Sequence, residues 1–482
     1  MGKIESLKPE RVFDYFEEIS RIPRGSGNTG AVSEYLQKFA EDHKLECVKD
    51  DAGNVIIEGK ASAGYEKAPC VILQGHIDMV CAKTPDSTHD FTKDPIELKR
   101  DGDYLYAQGT SLGGDDGIGA AYILAILDDG EIAHPPIEAV FTVDEETGML
   151  GASALDGGML SGKIMINLDS EKEGTMIAGC AGGLRIDSVI PVTRAAIKGV
   201  PVMVTMRGLL GGHSGEEINK NRINADKLIG RYLYELDKKA AFSLADLSGG
   251  DKDNAIPNEA KAHLVMDEED FAELAKFTEE FQNTLRKEYA GTDDGLEILV
   301  EKGHEHKISV LEPGSQDKVI FFLNHTPYGV RKMSAAVSGL VETSCNLGIM
   351  KSGPQQFVAT TSIRSSVESE RTELTDEVET LTEFLGGTFI ERGMYPAWEL
   401  KKDSKLRDAM QTVYKGMYGK ELEVAVIHAG LECGLFSDKI ADLDAVSIGP
   451  DMLDIHTANE KLSIASTARV WDFLCNVLSA IM

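Results

Sequence analysis

Histidine and carboxylate side chains recur where predicted buried strands end. His76 and Asp78 interrupt the apolar run VILQGHIDMV, two positions apart. The residues of this kind are, in chain order, His76 with Asp78, Asp115 with Asp116, Glu145 with Glu146, Asp169, and His456. Each follows an apolar run or a glycine-rich turn, so all of them are expected at one edge of a sheet, where ligands of α/β proteins gather.

Converging carboxylates repel one another unless cations lie between them. Imidazole and carboxylate together suit divalent zinc, manganese or cobalt. Residues two apart in a strand share a face, so His76 is predicted to bind a metal while Asp78 orients its imidazole. The sequence therefore predicts a metal centre rather than a cluster of surface charges.

Glu145 and Glu146 are neighbours that would point apart in an extended chain. At a strand end the backbone can turn, so that one of them binds metal and the other faces a substrate. That division would supply a general base beside a metal-activated water. The pattern alone does not say which glutamate takes which part.

The surrounding elements predict an α/β fold, in which a catalytic domain with a mainly parallel sheet is interrupted by an inserted α+β lid domain. Apolar strands and an apolar helix alternate in the first 185 residues, which is typical of a parallel sheet. Half-buried strands with period-two alternation follow, and the earlier pattern resumes near residue 400. The pattern predicts a buried strand over 137–148, and the predicted helices include 9–20, 29–43, 219–238, 404–417 and 462–480. We expect residues 1–185 and 399–482 to form the catalytic domain, and residues 186–398 to form a lid and dimerisation domain.

Composition narrows the class of partner. The chain has 482 residues, 42% of them hydrophobic, and 80 acidic against 49 basic residues give a net charge of −31. Nucleic acid and anionic membranes both demand a basic surface, so neither is expected as a partner. Seven scattered cysteines without a CxxC pair indicate reduced thiols and a cytoplasmic location.

Eight motifs in order carry a resemblance to a known family. They are GHIDMV, SLGGDDGIGAA, FTVDEETGMLGA, NLDSEKEG, GGHSGEEI, NAIPNEA, IHAGLECGLF and DIHTANEKL. In this order they closely resemble the dinuclear-zinc metallopeptidases. Within that family they look like the aminoacyl-histidine dipeptidases, also called cytosol non-specific dipeptidases. The resemblance covers essentially the whole chain.

The resemblance implies a role for each matching residue. Asp115 would bridge two metal ions, with a cis peptide bond to Asp116, and Glu145 would be the general base. The implied metal ligands are His76, Asp115, Glu146, Asp169 and His456. The implied catalytic residues are Glu145, Asp78 behind His76, and His213 at the oxyanion. The implied substrate-binding residues are Asn254, Arg364, which would hold a free carboxylate, and Gly430, through its backbone.

The implied reaction is hydrolysis of dipeptides, Xaa-His such as β-Ala-His and broader ones, by a hydroxide held between two zinc ions. Manganese and cobalt remain alternatives, and the implied assembly is a homodimer. A related amidohydrolase of N-acyl amino acids would share every metal ligand. A metal-binding protein without catalysis would be expected to lack Glu145 or His213, and both are present. The roles of His428 and Glu432 in IHAGLECGLF stay open between pocket and loop support.

Overall fold

The structure is a computed structural model that describes residues 7–335 and 337–482. The chain divides into two compact units. The first unit runs up to Cys180 and includes Trp398–Val426 and Leu431–Met482. The second unit consists of Ala181–Ala397 and Ile427–Gly430.

The elements of the described residues are numbered in chain order. The helices are α1 Glu10–Ser20, α2 Gly30–His43, α3 Gly114–Asp128, α4 Leu150–Ala154, α5 Ala225–Leu236, α6 Phe271–Glu288, α7 Pro313–His325, α8 Glu368–Phe384, α9 Lys405–Tyr418, α10 Glu432–Lys439 and α11 Ile464–Ala480. The strands before the second unit are β1 Glu46–Lys49, β2 Val55–Gly59, β3 Val71–His76, β4 Leu98–Asp101, β5 Tyr104–Ala107, β6 Ile137–Thr142, β7 Ile164–Asn167 and β8 Thr175–Cys180. Those within it are β9 Gly182–Pro191, β10 Arg194–Arg207, β11 Gly212–His213, β12 Ser243–Gly249, β13 Ala255–Ile256, β14 Ala260–Met266, β15 Glu297–Lys302, β16 His306–Leu311, β17 Gly329–Met333, β18 Val341–Ser352, β19 Gln356–Ser365 and β20 Thr388–Tyr395. The remaining strands are β21 Glu423–Ile427, β22 Asp444–Ser447, β23 Met452–Leu453 and β24 Lys461–Ser463.

The first unit is built on an eight-stranded sheet in the order β1-β2-β6-β3-β7-β22-β8-β21. Its four central strands, β6, β3, β7 and β22, are parallel, and β1 and β2 add antiparallel pairs at one side. Every residue of β3 and β6 is buried, as expected for strands covered on both faces. The predicted parallel core is thus confirmed, with antiparallel strands at its margins.

Helix α3 packs against β3 and is buried from Gly114 to Ile126. It is apolar all round, which is the pattern of a helix enclosed by other elements. A separate four-stranded sheet, in the order β23-β24-β5-β4, belongs to the same unit. Parallel β3, β6 and β7 end at one edge of the large sheet, and the chemistry of this unit gathers there.

The second unit is built on a ten-stranded sheet whose main path is β15-β10-β14-β12-β18-β19-β9-β20. Its strand pairs are antiparallel. Strand β9 alternates between buried and half-buried positions, and helices α5, α6 and α7 add apolar side chains to the core. This is the α+β architecture predicted for the inserted segment.

The unit boundaries differ from the predicted ones in one informative place. Residues 427–430 were expected with the C-terminal part of the first domain, but they cluster with the second unit. The backbone N–H of Ala181 donates to the carbonyl of Ile427, and the His428 ring bonds Ser344. These hydrogen bonds hold the short segment against the antiparallel sheet, a long-range pairing that local patterning cannot reveal.

None of the helices in the described part of the chain combines the length and the apolar character needed to cross a bilayer.

Candidate metal centre

Strand β3 delivers His76 to the carboxyl edge of the first unit's sheet. His76 and Asp78 are 1% and 0% exposed. Asp78 Oδ1 lies 3.3 Å from His76 Nδ1, which leaves Nε2 as the outward-facing nitrogen. A carboxylate on the far nitrogen fixes the orientation of an imidazole that binds metal through its other nitrogen. The geometry of this pair fits an imidazole that is free to bind a cation through Nε2 and a carboxylate that orients it.

Asp115 lies between two histidines that are distant in sequence. One of its oxygens, Oδ1, is 3.0 Å from His76 Nε2, and the other, Oδ2, is 3.0 Å from His456 Nε2. The Asp115–Asp116 peptide bond is cis, as the resemblance implied. A carboxylate that presents one oxygen to each of two imidazoles has the arrangement needed to bridge two cations.

Two further carboxylates complete the groups on either side of Asp115. Asp169 Oδ1 lies 3.4 Å from His76 Nε2, and Glu146 Oε2 lies 3.0 Å from His456 Nε2. His76, Asp115 and Asp169 form one triad of potential ligand atoms, each within 4.8 Å of the others. Asp115, Glu146 and His456 form a second such triad, so the two sets share Asp115.

A tight turn after β6 leads into the two adjacent glutamates, Glu145 and Glu146. Asp144 adopts a left-handed backbone conformation with φ of 53°, and the chain leaves the sheet there. The backbone N–H groups of Glu145 and Glu146 donate to Asp78 Oδ1 and Oδ2, at 3.0 and 3.3 Å. Asp78 therefore anchors both the imidazole of His76 and the backbone of the glutamate turn.

The electrostatics of the cluster are dominated by buried negative groups. Burial raises the pKa of Asp169 and raises that of Glu145 to about 8. Burial also opposes ionisation of Asp115, but hydrogen bonds with His456 and His76 outweigh it and hold that pKa well below its usual range. Hydrogen bonds to Asp115 and then to Glu146 raise the pKa of His456 to about 11.

The donor set fits divalent cations. Within the described residues, the Oε1 atom of Glu146 is buried without a hydrogen-bond partner. His76, Asp115, Asp169, Glu146 and His456 supply two imidazole nitrogens and three carboxylates, the ligand types that zinc, manganese and cobalt accept. A nearby cation favours the ionised form of a carboxylate, so bound ions would lower the pKa values that burial raises.

A buried hydrogen-bond network lies one layer beneath the ligands, and it was not predicted. Asn167 Nδ2 donates to Gln74 Oε1 at 2.7 Å, while Gln74 Nε2 donates to Glu432 Oε2 at 2.5 Å. Thr142 Oγ1 donates to the same glutamate oxygen at 2.7 Å. Gln74 and Asn167 each lie two residues before a predicted ligand, His76 or Asp169, so the same-face spacing could have identified them. Glu432 thus bonds side chains at the ends of β3 and β6.

Two buried residues of opposite charge, Arg24 and Glu460, were also missed. They lie in RIPRGSGN and in DIHTANEKL, and they are 1% and 3% exposed. For Glu460 the signal available in the sequence was its position four residues after the predicted ligand His456, whereas Arg24 lies 52 residues before the nearest predicted ligand, His76, and had no such signal. Both side chains bond the backbone of the loop that precedes Asp115.

The second unit holds the remaining four predicted site residues, His213, Asn254, Arg364 and Gly430. His213 pairs with Ala255 between β11 and β13, next to Asn254. A Cβ atom on Gly215 would lie 3.1 Å from His213 Cε1 and 3.3 Å from Arg364 Nε, which places these two side chains around one glycine. Burial and the charge of Arg364 lower the pKa of His213, so its imidazole favours the neutral form.

Tyr395 and His428, neither of which was assigned a role, lie beside these residues. Arg364 Nη1 donates to Tyr395 Oη at 2.9 Å, and within residues 7–335 and 337–482 its buried Nε has no partner. His428 Nε2 lies 2.7 Å from Ser344 Oγ. Burial, followed by the charge of Arg364, lowers the pKa of His428 to about 3. Gly430 lies against the Tyr395 ring, where a Cβ atom would be 2.7 Å from Cε2.

Comparison with known protein families identifies the class of protein to which this chain belongs. The model of the family described as Peptidase family M20/M25/M40 matches residues 72–480. The chain belongs to this family, and it is accordingly a peptide hydrolase.

Individual relatives cover the chain at full length. The cytosol non-specific dipeptidase of Escherichia coli (strain K12) is 35% identical over 483 residues, which span 100% of this chain and 99% of that protein. The crystal structure of aminoacylhistidine dipeptidase from Vibrio alginolyticus has a TM-score of 0.90 at 37% identity, covering 100% of this chain and 98% of that one. Aminopeptidase PepT from Bacillus cereus shares the fold alone, with a TM-score of 0.55 at 15% identity over 98% and 99% of the two chains.

Proposed function

We propose that the protein is a metal-dependent dipeptidase that uses two divalent cations. The observation that carries the proposal is the position of Asp115, whose two oxygens each lie 3.0 Å from a different histidine nitrogen. Full-length similarity to two proteins described as dipeptidases supports dipeptides as the substrate class. Xaa-His dipeptides such as β-Ala-His, together with broader dipeptides, are the proposed substrates.

The proposed ligands follow the two triads. His76 and Asp169 would hold one cation, Glu146 and His456 the other, and Asp115 both. Zinc is the proposed metal, since imidazole and carboxylate ligands suit it, and manganese and cobalt fit the same donor set. When bound, such cations act as Lewis acids that polarise a carbonyl and lower the pKa of water.

The protein's own groups would then move the protons and hold the substrate. Glu145, whose carboxylate is not part of the shared pair of triads, would take a proton from water and return it to the leaving amine. Asp78 would hold the His76 ring and the backbone of the glutamate turn in place. The neutral imidazole of His213 would donate a hydrogen bond to the developing oxyanion.

Recognition of the substrate is proposed for groups of the second unit, which we infer to act as a lid domain. Arg364 would bind the free carboxylate of a dipeptide, because a guanidinium matches that planar anion. Asn254 and the backbone of Gly430 would hold the rest of the peptide. This assignment makes a free C-terminus, rather than any particular side chain, the main requirement of the site.

The test is hydrolysis of a small panel by the purified protein, before and after chelation with metal add-back. The panel contains β-Ala-His, Gly-His, Ala-Ala, a tripeptide and an N-acetyl amino acid. We expect dipeptide cleavage that chelation abolishes and that zinc, manganese or cobalt restores. Turnover of the N-acetyl compound alone would replace the proposal by an N-acyl amidohydrolase. Absence of turnover in a metal-loaded protein would favour a metal-binding role without catalysis.

We also propose a cytoplasmic homodimer. The location rests on the scattered cysteines and on the relative whose name calls it cytosolic, and the dimer rests on the family resemblance. Light scattering on the purified protein tests the assembly, for which twice the 52.3 kDa chain mass is expected. A mass equal to one chain would contradict it.

A further inference from the structure

A single buried carboxylate holds the loop that leads to Asp115. Glu460 Oε2 accepts hydrogen bonds from the backbone N–H groups of Leu112 and Gly113, at 2.7 and 3.0 Å. Its other oxygen, Oε1, accepts from those of Gly114 and Asp115, at 2.7 and 3.3 Å. Four consecutive backbone donors thus converge on one side chain that is 3% exposed. Such convergence fixes the path of the loop, because a buried N–H group is costly to leave unpaired.

Glu460 joins this loop to the segment that carries His456. The two residues are four positions apart in DIHTANEKL, and His456 itself has a left-handed backbone with φ of 60°. A non-glycine residue in that region needs support from its surroundings. The Glu460 carboxylate therefore ties the backbone of Asp115 to the segment that carries His456.

Arg24 makes a second link to the same loop. Its Nη1 donates to the carbonyls of Ile77 and Asp78, at 3.0 and 2.7 Å, and its Nη2 donates to the carbonyl of Gly113 at 2.5 Å. Arg24 is 1% exposed. The guanidinium fork can bond several acceptors at fixed angles, so it fastens the end of β3, which carries His76, to the loop that carries Asp115.

The glycines of SLGGDDG leave the room that these two side chains occupy. A Cβ atom on Gly113 would lie 2.6 Å from Arg24 Nη2, and one on Gly114 would lie 3.2 Å from Glu460 Oε1. Gly117 is also packed against the Arg24 guanidinium. The glycine pattern of the motif is thus explained by two charged residues from elsewhere in the chain.

A buried ionic group is an expensive way to hold a fold together, and well-packed apolar residues serve as well or better. Arg24 and Glu460 bond only backbone atoms in these contacts, and the segments that they join carry His76, Asp115 and His456. A role in general stability does not explain why both residues meet at one loop between ligands. A role in setting the distances between the proposed ligands explains why both residues bond this loop.

We propose that Arg24 and Glu460 are positioning residues that fix the relative placement of the ligands for both cations by tying the segments that carry His76 and His456 to the loop that carries Asp115. The proposal rests on the two-cation centre proposed above. It predicts that either residue can be altered without removing a ligand, and that metal binding nevertheless weakens.

The experiment is a cobalt(II) titration of the metal-free full-length protein, followed by visible absorption and calorimetry. The variants are Glu460→Gln and Arg24→Lys. The matched control is Glu138→Gln, another buried glutamate of the first unit, which accepts hydrogen bonds from Ser161 and Gly162. We expect Glu460→Gln and Arg24→Lys to weaken cobalt affinity about 10- to 100-fold, as for other residues that orient ligands, and to change the cobalt absorption band. Glu138→Gln should lower the thermal midpoint alone.

Wild-type affinity and an unchanged cobalt spectrum in both site variants would overturn the proposal, whatever the change in thermal midpoint. If Glu460→Gln does not fold, as judged by circular dichroism, Gly114→Ala replaces it, since the added Cβ displaces the carboxylate by only a few tenths of an ångström. The wild-type titration separates the two hypotheses. Fewer than two cobalt ions per wild-type chain contradicts the proposed function, whereas two ions bound equally well by wild type and variants contradicts this inference alone.

Discussion

Glu145 and Glu146 occupy adjacent positions and have different surroundings. Glu146 reaches His456 and belongs to the triad that includes Asp115, whereas Glu145 shares a group with His76 and Glu146 but lies outside that triad. Both glutamates directly follow the backbone turn at Asp144. This contrast lets the chemistry of the centre be dissected with two isosteric substitutions.

We expect Glu145→Gln to keep both metal ions and to lower kcat by about 10²- to 10⁴-fold, the usual contribution of a general base. Glu146→Gln removes the charge of a proposed ligand, so this variant should bind fewer metal ions per chain. Metal analysis after gel filtration, together with initial rates on a dipeptide, checks both variants. Near-wild-type turnover of Glu145→Gln would contradict the assignment of Glu145 as the general base.

Arg364 is the residue proposed to bind the free carboxylate of the substrate. Its buried Nε lacks a hydrogen-bond partner among the described residues, and Tyr395 holds one end of the guanidinium. Arg364→Lys should raise KM for dipeptides, with kcat/KM falling about 10- to 100-fold, since a hydrogen bond to a charged group contributes about 1.5–3 kcal/mol. Wild-type preference for a dipeptide over its C-terminal amide should shrink in the variant.

The control for Arg364→Lys is Arg392→Lys, an exposed arginine of β20 that pairs with Asp187. Equal selectivity against the amide in wild type and in Arg364→Lys would show that another group binds the carboxylate.

At the scale of elements, the loop before α3 depends both on a glycine with a left-handed backbone and on the side chain that packs against it. Gly113 has φ of 69°, a conformation that costs about 1–2 kcal/mol for other residues, and Arg24 fills the space beside it. Gly102, in the turn between β4 and β5, has φ of 59°, and a Cβ atom added there would meet nothing within 4 Å. We expect Gly113→Ala to lower the thermal midpoint more than Gly102→Ala, because only the first adds a steric clash to the backbone strain. Equal shifts would mean that Arg24 moves aside freely.

Helix α5 carries a buried carboxylate that should give the second unit a pH-dependent stability. Asp226 is fully buried, neither oxygen has a hydrogen-bond partner in the described part of the chain, and burial raises its pKa well above the usual value. From about pH 4 upward the unfolded state releases this proton while the folded state keeps it. Stability should therefore fall as pH rises, until the folded-state pKa is passed.

Asp226→Asn removes the titration, so the difference in thermal midpoint between pH 5 and pH 8 should be smaller in this variant than in wild type. Asp237→Asn, at the exposed C-terminal end of the same helix, is the control. The same pH dependence in Asp226→Asn as in wild type would contradict the assignment.

At the scale of the whole molecule, the ligands of the proposed centre all belong to the first unit, while each unit has its own apolar core. Ligands that bind only the folded state stabilise it, by about 2.7 kcal/mol at a hundredfold excess over Kd. Chelation should therefore increase hydrogen exchange around His76, Asp115, Glu145 and His456. Helix α6 of the second unit should exchange unchanged. A uniform increase across both units would contradict a centre built from the first unit alone.

Much of the fold was predictable because its signals are local. The helices predicted over 9–20, 29–43, 404–417 and 462–480 occur at Glu10–Ser20, Gly30–His43, Lys405–Tyr418 and Ile464–Ala480. The predicted bounds are wrong where the backbone turns, or starts a helix, at a position that the apolar pattern does not mark. The strand predicted over 137–148 ends at Thr142, because the chain turns at Asp144. The helix predicted from residue 219 begins at Ala225, where the side chain of Asn224 accepts from the Lys227 N–H. Helix α7 was not predicted, and its weak amphipathic pattern explains the omission.

The sequence by itself predicted the class of the protein, through the family resemblance of eight motifs, and the type of chemistry at its site. The residue types at strand ends and their order predict imidazole and carboxylate ligands on a parallel sheet, since these features depend on local pattern. Spacing alone predicted Asp78 behind His76, but only the tertiary structure showed that Arg24 and Glu460 join the segments that carry the proposed ligands. Arg24 lies 53 positions before Ile77, and Glu460 lies 348 positions after Leu112. Such pairs form only when the chain folds, because their contacts are made with backbone atoms that no side-chain pattern identifies.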